Sequence, residues 1–252
     1  MQWPSNPCIL HPVNEFPGKA KMKILVWMSF LLVPVAATAQ WELEKDQDGI
    51  RVYTEEVKDS DIRRFRAEIT LPVSMDRVLA VFDDFKRYPE WKFKVSQSDV
   101  LKQPDETSWY HYQDISMPFP LSDRMFVLYS RLQPQGRDKV IIETRAEPDY
   151  CRKNALETCR PINASGDLLV EEAEGLHVLE QLADGSTRVT WTQHAEPGGV
   201  LPDWLVNAML VDGPWETFNK LRDYVNRPRY AEARLRRDES GILLGGFEKV
   251  SW

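Results

Sequence analysis

The chain has 252 residues, of which 42% are hydrophobic and 28% charged, a balance that supports a buried core and excludes a disordered protein. A formal net charge of -7, with no basic block or stripe, argues against a nucleic-acid partner, because neutralising phosphates takes a surplus of Lys and Arg on one face.

Lys21 and Lys23 precede an apolar run from Ile24 to Val35, and Ala37-Thr38-Ala39 has the small-x-small form of a cleavage site. The run is shorter than the roughly 20 apolar residues that a bilayer span needs. Residues 1–39 therefore read as a leader with a signal peptide, Met22 as its true start and cleavage after Ala39; a buried core helix is the alternative. Neither a cysteine nor a lipobox sits at the cleavage point, so the exported product is expected to be soluble, periplasmic or secreted.

In the remaining chain, 49–55 (GIRVYTE) and 62–71 (IRRFRAEITL) alternate as strands. A helix follows, capped by Ser74, with Val78, Leu79, Val81, Phe82 and Phe85 on its apolar face, and YPEW at 88–91 turns the chain. Strands are expected near 98–102, 107–117, 124–133, 138–146, 166–172, 175–183 and 186–196; turns as short as ADGS make the sheet antiparallel. From Pro202, the residues Trp204, Ala208, Val211, Trp215, Phe218, Leu221 and Val225 recur at steps of three or four, the pattern of a long amphipathic helix that Gly213-Pro214 should kink. The whole is an α+β domain over 40–228, a curved antiparallel sheet wrapped around a long C-terminal helix, with a tail at 229–252 whose Ile242, Leu243, Leu244, Phe247 and Trp252 could dock on the domain or a partner.

Chemistry-bearing motifs are scarce. The chain has no G-x-S-x-G, no phosphate-cradling glycine loop and no metal-binding histidine pair, so neither a cofactor nor a metal is expected. His111 and His194 lie in strand patterns, as satisfied strand residues or as a general base, and the acid runs at 42–48 and 171–174 read as solvated faces. Asn163-Ala164-Ser165 matches a glycosylation sequon. Cys151 and Cys159 flank a short polar loop; in an oxidising compartment they should form a disulfide worth ~2–3 kcal/mol, two free thiols being the alternative.

Two longer stretches carry a resemblance. PFPLSDR at 118–124 resembles the P-F-P-[MLI]-S-[ND]-R segment of START domains, a lipid-transfer family, and EPGGVLPDWLVN at 196–207 is similar to the stretch that leads into that family's closing helix. DGIRVYTEE at 48–56 is like the family's first strand, and Trp91 stands where the family has a Trp after its first long helix. The resemblance covers about 42–228 and implies a helix-grip fold: an incomplete antiparallel barrel closed by the C-terminal helix around an apolar tunnel that holds one lipid. It implies a binding protein, a monomer touching membranes transiently, rather than an enzyme. Polyketide cyclases or aromatases of the same superfamily and a lipid-sensing scaffold are the alternatives; the enzyme would need His111, Tyr112 or His194 in the cavity.

Ligand-contacting candidates on this basis are Tyr88, Trp91, Lys92, Trp109, Phe126, Trp191, Trp204, Met209 and Trp215, with Gly198 and Gly199 as a candidate hinge. Asp123 and Arg124 are expected to tie the corner after the prolines. The family's phosphatidylcholine carriers place an Arg and an Asp on the head group where this chain has Tyr88 and Lys92; losing an acid and gaining a base points to an anionic or neutral lipid. Met125 replaces the family's Asp after this turn, and the Cys151–Cys159 loop reads as an addition.

Overall fold

The computed structural model describes residues 40–154, 159, 162 and 166–248; the leader, the sequon and Trp252 lie outside the described residues. Its main sheet is built from β1 (Glu42–Gln47), β2 (Ile50–Glu55), β3 (Arg64–Leu71), β4 (Val95–Asp105), β5 (Ser108–Ile115), β6 (Arg124–Pro134), β7 (Lys139–Ala146), β9 (Glu172–Gln181) and β10 (Thr187–Glu196), in the order β1-β2-β3-β10-β9-β7-β6-β5-β4. All these pairings are antiparallel, and the two-residue β8 (Leu168–Leu169) adds to β6 in parallel. Strand alternation sorts the side chains: β5 turns Trp109, His111 and Gln113 inward, whereas Tyr110 and Tyr112 face the other side.

The inner face packs on helix α1 (Met75–Asp83), the short α2 (Tyr88–Trp91) and the closing helix. That closing element is in three pieces: α4 (Asp203–Asn207), a π-helical turn over Ala208–Asp212, and α5 (Gly213–Tyr224). Pro214 has no N–H to give, and the wider turn just before it absorbs the missing bond. Glycine at 213 permits the close crossing, since a Cβ there would lie 2.9 Å from Phe93 Cδ1. Because the π-turn uses more residues per revolution, steps of three or four counted across it lose register. Trp204 is therefore 61% exposed while its neighbour Leu205 is fully buried. Trp215, past the π-turn, stands at the flank of the stripe that Pro214, Phe218 and Leu221 bury; it lies under the Lys45 ammonium and bonds the Gln47 carbonyl.

The corner between β5 and β6 is held by two charges, a half-buried Asp123 and a buried Arg124. Asp123 accepts the Met117 N–H at 2.7 Å; Arg124, only 1% exposed, donates to the carbonyls of Ser122, Pro197 and Gly198. Arg124 thus fastens the 116–123 loop to the Gly198-Gly199 loop, whose glycines both have positive φ, 66° and 68°. Arg124→Ala would orphan three carbonyls, costing roughly 3 kcal/mol. The melting temperature should fall on the order of 10 °C, with little change in saturated lipid binding, since the side chain is not part of the cavity wall described below. Calorimetry beside a binding titration checks this.

On the outer face, α3 (Tyr150–Lys153) and the Cys151–Cys159 disulfide cover β4 to β6. Tyr150 stacks on Tyr110 at 3.9 Å, and Met125 and Val127 pack with both cysteines. An apolar residue at 125 suits that covered face better than an acid would. Beyond α5 the tail folds onto the domain: Tyr230 is fully buried, and β11 (Leu235–Arg237) pairs with β12 (Leu243–Phe247) as a hairpin. Leu243 docks inward as expected, whereas Ile242 and Leu244 stay exposed.

Candidate functional site

Between the sheet and the closing helix lies a cavity of about 360 Å³, in the range that holds small-molecule ligands. Of the residues singled out from sequence, Tyr88, Trp91, Lys92 and Trp109 line it, as do Phe126, Trp191 and Met209. Trp204 and Trp215 do not, for the helical reason given above, and Gly198 and Gly199 stand outside it in the Arg124-bound loop.

Aromatic rings fix the shape of the wall. Trp91 stacks on Phe82 at 5.7 Å and meets Tyr88 edge-on at 5.2 Å; Trp191 stacks on His177 at 5.3 Å and meets Phe65 edge-on at 4.8 Å. The Tyr88 hydroxyl donates to the Phe82 carbonyl at 2.6 Å, so this residue offers the cavity its ring rather than its oxygen. The indole N–H groups of Trp91 and Trp191 and Nδ1 of His111 are buried without a hydrogen-bond partner.

Lys92 places a cation on the wall. Its ammonium donates to Gln113 Oε1 at 3.0 Å and faces the rings of Tyr88 at 4.5 Å, Trp191 at 5.5 Å and Trp91 at 5.9 Å. Among the described residues it joins no carboxylate in a salt bridge, and burial lowers its pKa to about 7. The side chain keeps some accessible surface only because it looks into the cavity. Such a group is costly unless something anionic, or at least an acceptor, comes to meet it.

Two histidines share this wall. His111 bonds Ser130 Oγ at 2.9 Å, and Ser130 in turn bonds Thr144 Oγ1 at 2.7 Å. Burial first, and the Lys92 charge second, push both His111 and His177 down to about 3. A cavity histidine is the mark expected of a cyclase-type enzyme, and the wall is not strictly apolar; yet a pKa this low leaves the imidazoles neutral and weakly basic, the wrong direction for proton abstraction near neutrality. His194 sits on the other side of the sheet against Glu196 at 3.1 Å, and Tyr112 packs in the outer cluster.

Sequence reasoning passed over His177, Ser130, Thr144 and Phe247 as wall residues. For His177 a signal was present: it shares the face of β9 with Leu179 and Gly175 by simple alternation.

A family model for the START domain matches residues 28–230. A solved STAR-related lipid transfer protein fragment from Xanthomonas axonopodis superposes with a TM-score of 0.64 at 34% identity, covering 74% of this chain and 99% of that one. An uncharacterized protein of Pseudomonas aeruginosa is 28% identical over 205 residues, 81% of this chain and 96% of its own length. The phosphatidylcholine transfer protein of Mus musculus is 22% identical over 186 residues, 71% of this chain and 81% of that protein.

Proposed function

Because the chain belongs to the START domain family, which supports binding of a hydrophobic ligand, we propose that it holds one lipid with an anionic or neutral, acceptor-rich head group in the cavity and carries it between membranes in the periplasm. The observation that carries this reading is the Lys92 ammonium, which joins no carboxylate in a salt bridge among the described residues and faces aromatic rings in a cavity of mixed aromatic and polar lining. A quaternary ammonium head would meet a like charge there. A phosphate or carboxylate would gain a charge-assisted hydrogen bond, with the two indole N–H groups nearby as further donors.

Carriage has a physical rationale. Each methylene taken into water costs ~0.8 kcal/mol, so a 16-carbon chain resists leaving a bilayer by roughly 13 kcal/mol. Export fits both the leader pattern and the disulfide, which persists in oxidising compartments. For loading, the proposal uses the loops around the β5–β6 corner, where Phe119 is 98%, Val200 91% and Trp204 61% exposed. Arg124 gathers these loops into one edge, and Leu168 of β8, also exposed, bonds the Asp123 carbonyl beside them. Apolar tips of this kind suit brief insertion into a membrane surface by a single copy of the chain.

Native mass spectrometry of the exported form should show one copurified lipid, and mixed vesicles should yield more phosphatidylglycerol than phosphatidylcholine. Equal or better extraction of phosphatidylcholine would refute the head-group assignment. A cyclase-type enzyme is a second reading, favoured by one observation: an amine with a pKa of about 7 is a competent base near neutrality. A polyketide recovered from the protein with altered mass would support it; a ligand returned unchanged supports carriage.

A further inference from the structure

The hairpin β11–β12 lies beyond the residues matched by the family model, yet Gly246 and Phe247 of its second strand form part of the cavity wall. It sits across the turns at one end of the sheet. Leu243 N–H donates to the Gly136 carbonyl in the β6–β7 turn at 3.1 Å, and Arg236 pairs with Glu106 in the β4–β5 turn. Gly245 and Gly246 have positive φ, and a Cβ at 245 would collide with Thr107, so only glycine lets this backbone come so near. The hairpin is also anchored from behind: Asp76, 6% exposed in the first turn of α1, takes both guanidinium nitrogens of Arg237 at 2.7 and 2.9 Å and the Leu235 N–H at 3.1 Å. Asp238 closes the turn by accepting from the N–H groups of Ser240 and Ile242 at 2.8 Å each.

We propose that this hairpin is the fixed end wall of the ligand cavity, and that Phe247 sets the longest acyl chain the protein accepts. The inference rests on the carrier reading above. Lys92 meets Gln113, and the β4–β5 turn under the hairpin ends where β5 begins, at Ser108. At ~3.4 Å per residue that stretch of strand spans roughly 17 Å. A head group held at Lys92 therefore sends its chain along Trp109, Leu132 and Ile142 toward Phe247. A wall tied by an ion pair to the buried Asp76 and by two turns does not yield as a mobile loop does, so a chain too long for this run has nowhere to extend.

The test is displacement of a fluorescent probe from the exported form by saturated straight-chain fatty acids of increasing length. Affinity of the wild-type protein should rise about fourfold per methylene up to a limiting length and then stop rising. Phe247→Ala should move the limit to longer acids and Phe247→Trp to shorter ones, while Ile242→Ser, on the exposed side of the same hairpin, leaves it in place. Opposite shifts from the two Phe247 variants would not arise from destabilisation, which has one sign. If acids bind but all four proteins share one limit, the end-wall inference is overturned and the carrier reading stands. If no acid binds the wild-type protein, the carrier reading falls and takes this inference with it.

Discussion

Lys92→Met is expected to make the protein more stable and a poorer binder of anionic lipid. Methionine fills a similar volume without a charge, and the wild-type side chain has no carboxylate to offset its burial. The sign follows from linkage. The folded pKa of about 7 lies below the value near 10.4 of an unfolded lysine, so the penalty is fully present below about pH 7 and fades as the pH rises toward 10.4. The variant's gain in melting temperature should accordingly be largest at or below neutrality and vanish in strong alkali. Binding moves the other way. A charge-assisted hydrogen bond in a buried site is worth about 1.5–3 kcal/mol, so affinity for phosphatidylglycerol should drop roughly 10- to 100-fold. In the wild-type protein a bound phosphate restores the proton that the empty site loses above about pH 7; its affinity should then fall about tenfold per pH unit above that point, and that of the variant should be flat. Equilibrium extraction from vesicles across the pH range reads both. A wild-type profile without slope would remove Lys92 from the head-group site.

Phe119→Ser combined with Trp204→Ser is expected to abolish most transfer while leaving the fold intact. Both side chains are largely in solvent, so their loss should shift stability by less than about 1 kcal/mol. If they enter the membrane on docking, each withdraws on the order of 1.5 kcal/mol or more of favourable burial. Together that is ~3 kcal/mol, about a hundredfold in vesicle affinity. Cosedimentation with vesicles and a donor-to-acceptor transfer assay should fall in parallel, while binding of a soluble fatty acid is retained. Unchanged vesicle affinity would place the docking edge elsewhere.

Sequence periodicity reveals an element when one of its faces is buried and the count along it is regular. The strands β2 to β7, β9 and β10 and helix α1 meet that condition, and the corner chemistry of Asp123 and Arg124 stands as the motif implies. β1 escapes it because ELEKDQ buries almost nothing; the strand is held by backbone pairing to β2, so an acid run that reads as a solvated face is also a sheet edge. Trp204 misleads because the π-turn after it breaks the helical count, and Trp215 because it stands at the flank of the stripe that Phe218 and Leu221 bury. At 166–172 a single strand was expected, and the structure has the short parallel β8 followed by the start of β9. The polar wall was only half legible: Lys92 stands out by comparison with phosphatidylcholine carriers, whereas Ser130 and Thr144 become neighbours only once β6 and β7 pair. Nothing local marks Phe247, since its role depends on a hairpin folding back across turns more than a hundred residues earlier in the chain.

The sheet does not close on itself, and its two free margins have a consequence for self-association. β1 presents alternating carboxylates and an ammonium along a bulged strand, and β4 carries three breaks in register with Pro104 near its end. A second copy approaching either side meets repulsion or a rung that has no hydrogen to share. The open rim of the curved sheet is thereby kept from recruiting its own kind into fibres, which matters most when the hollow stands empty and the fold is at its least supported.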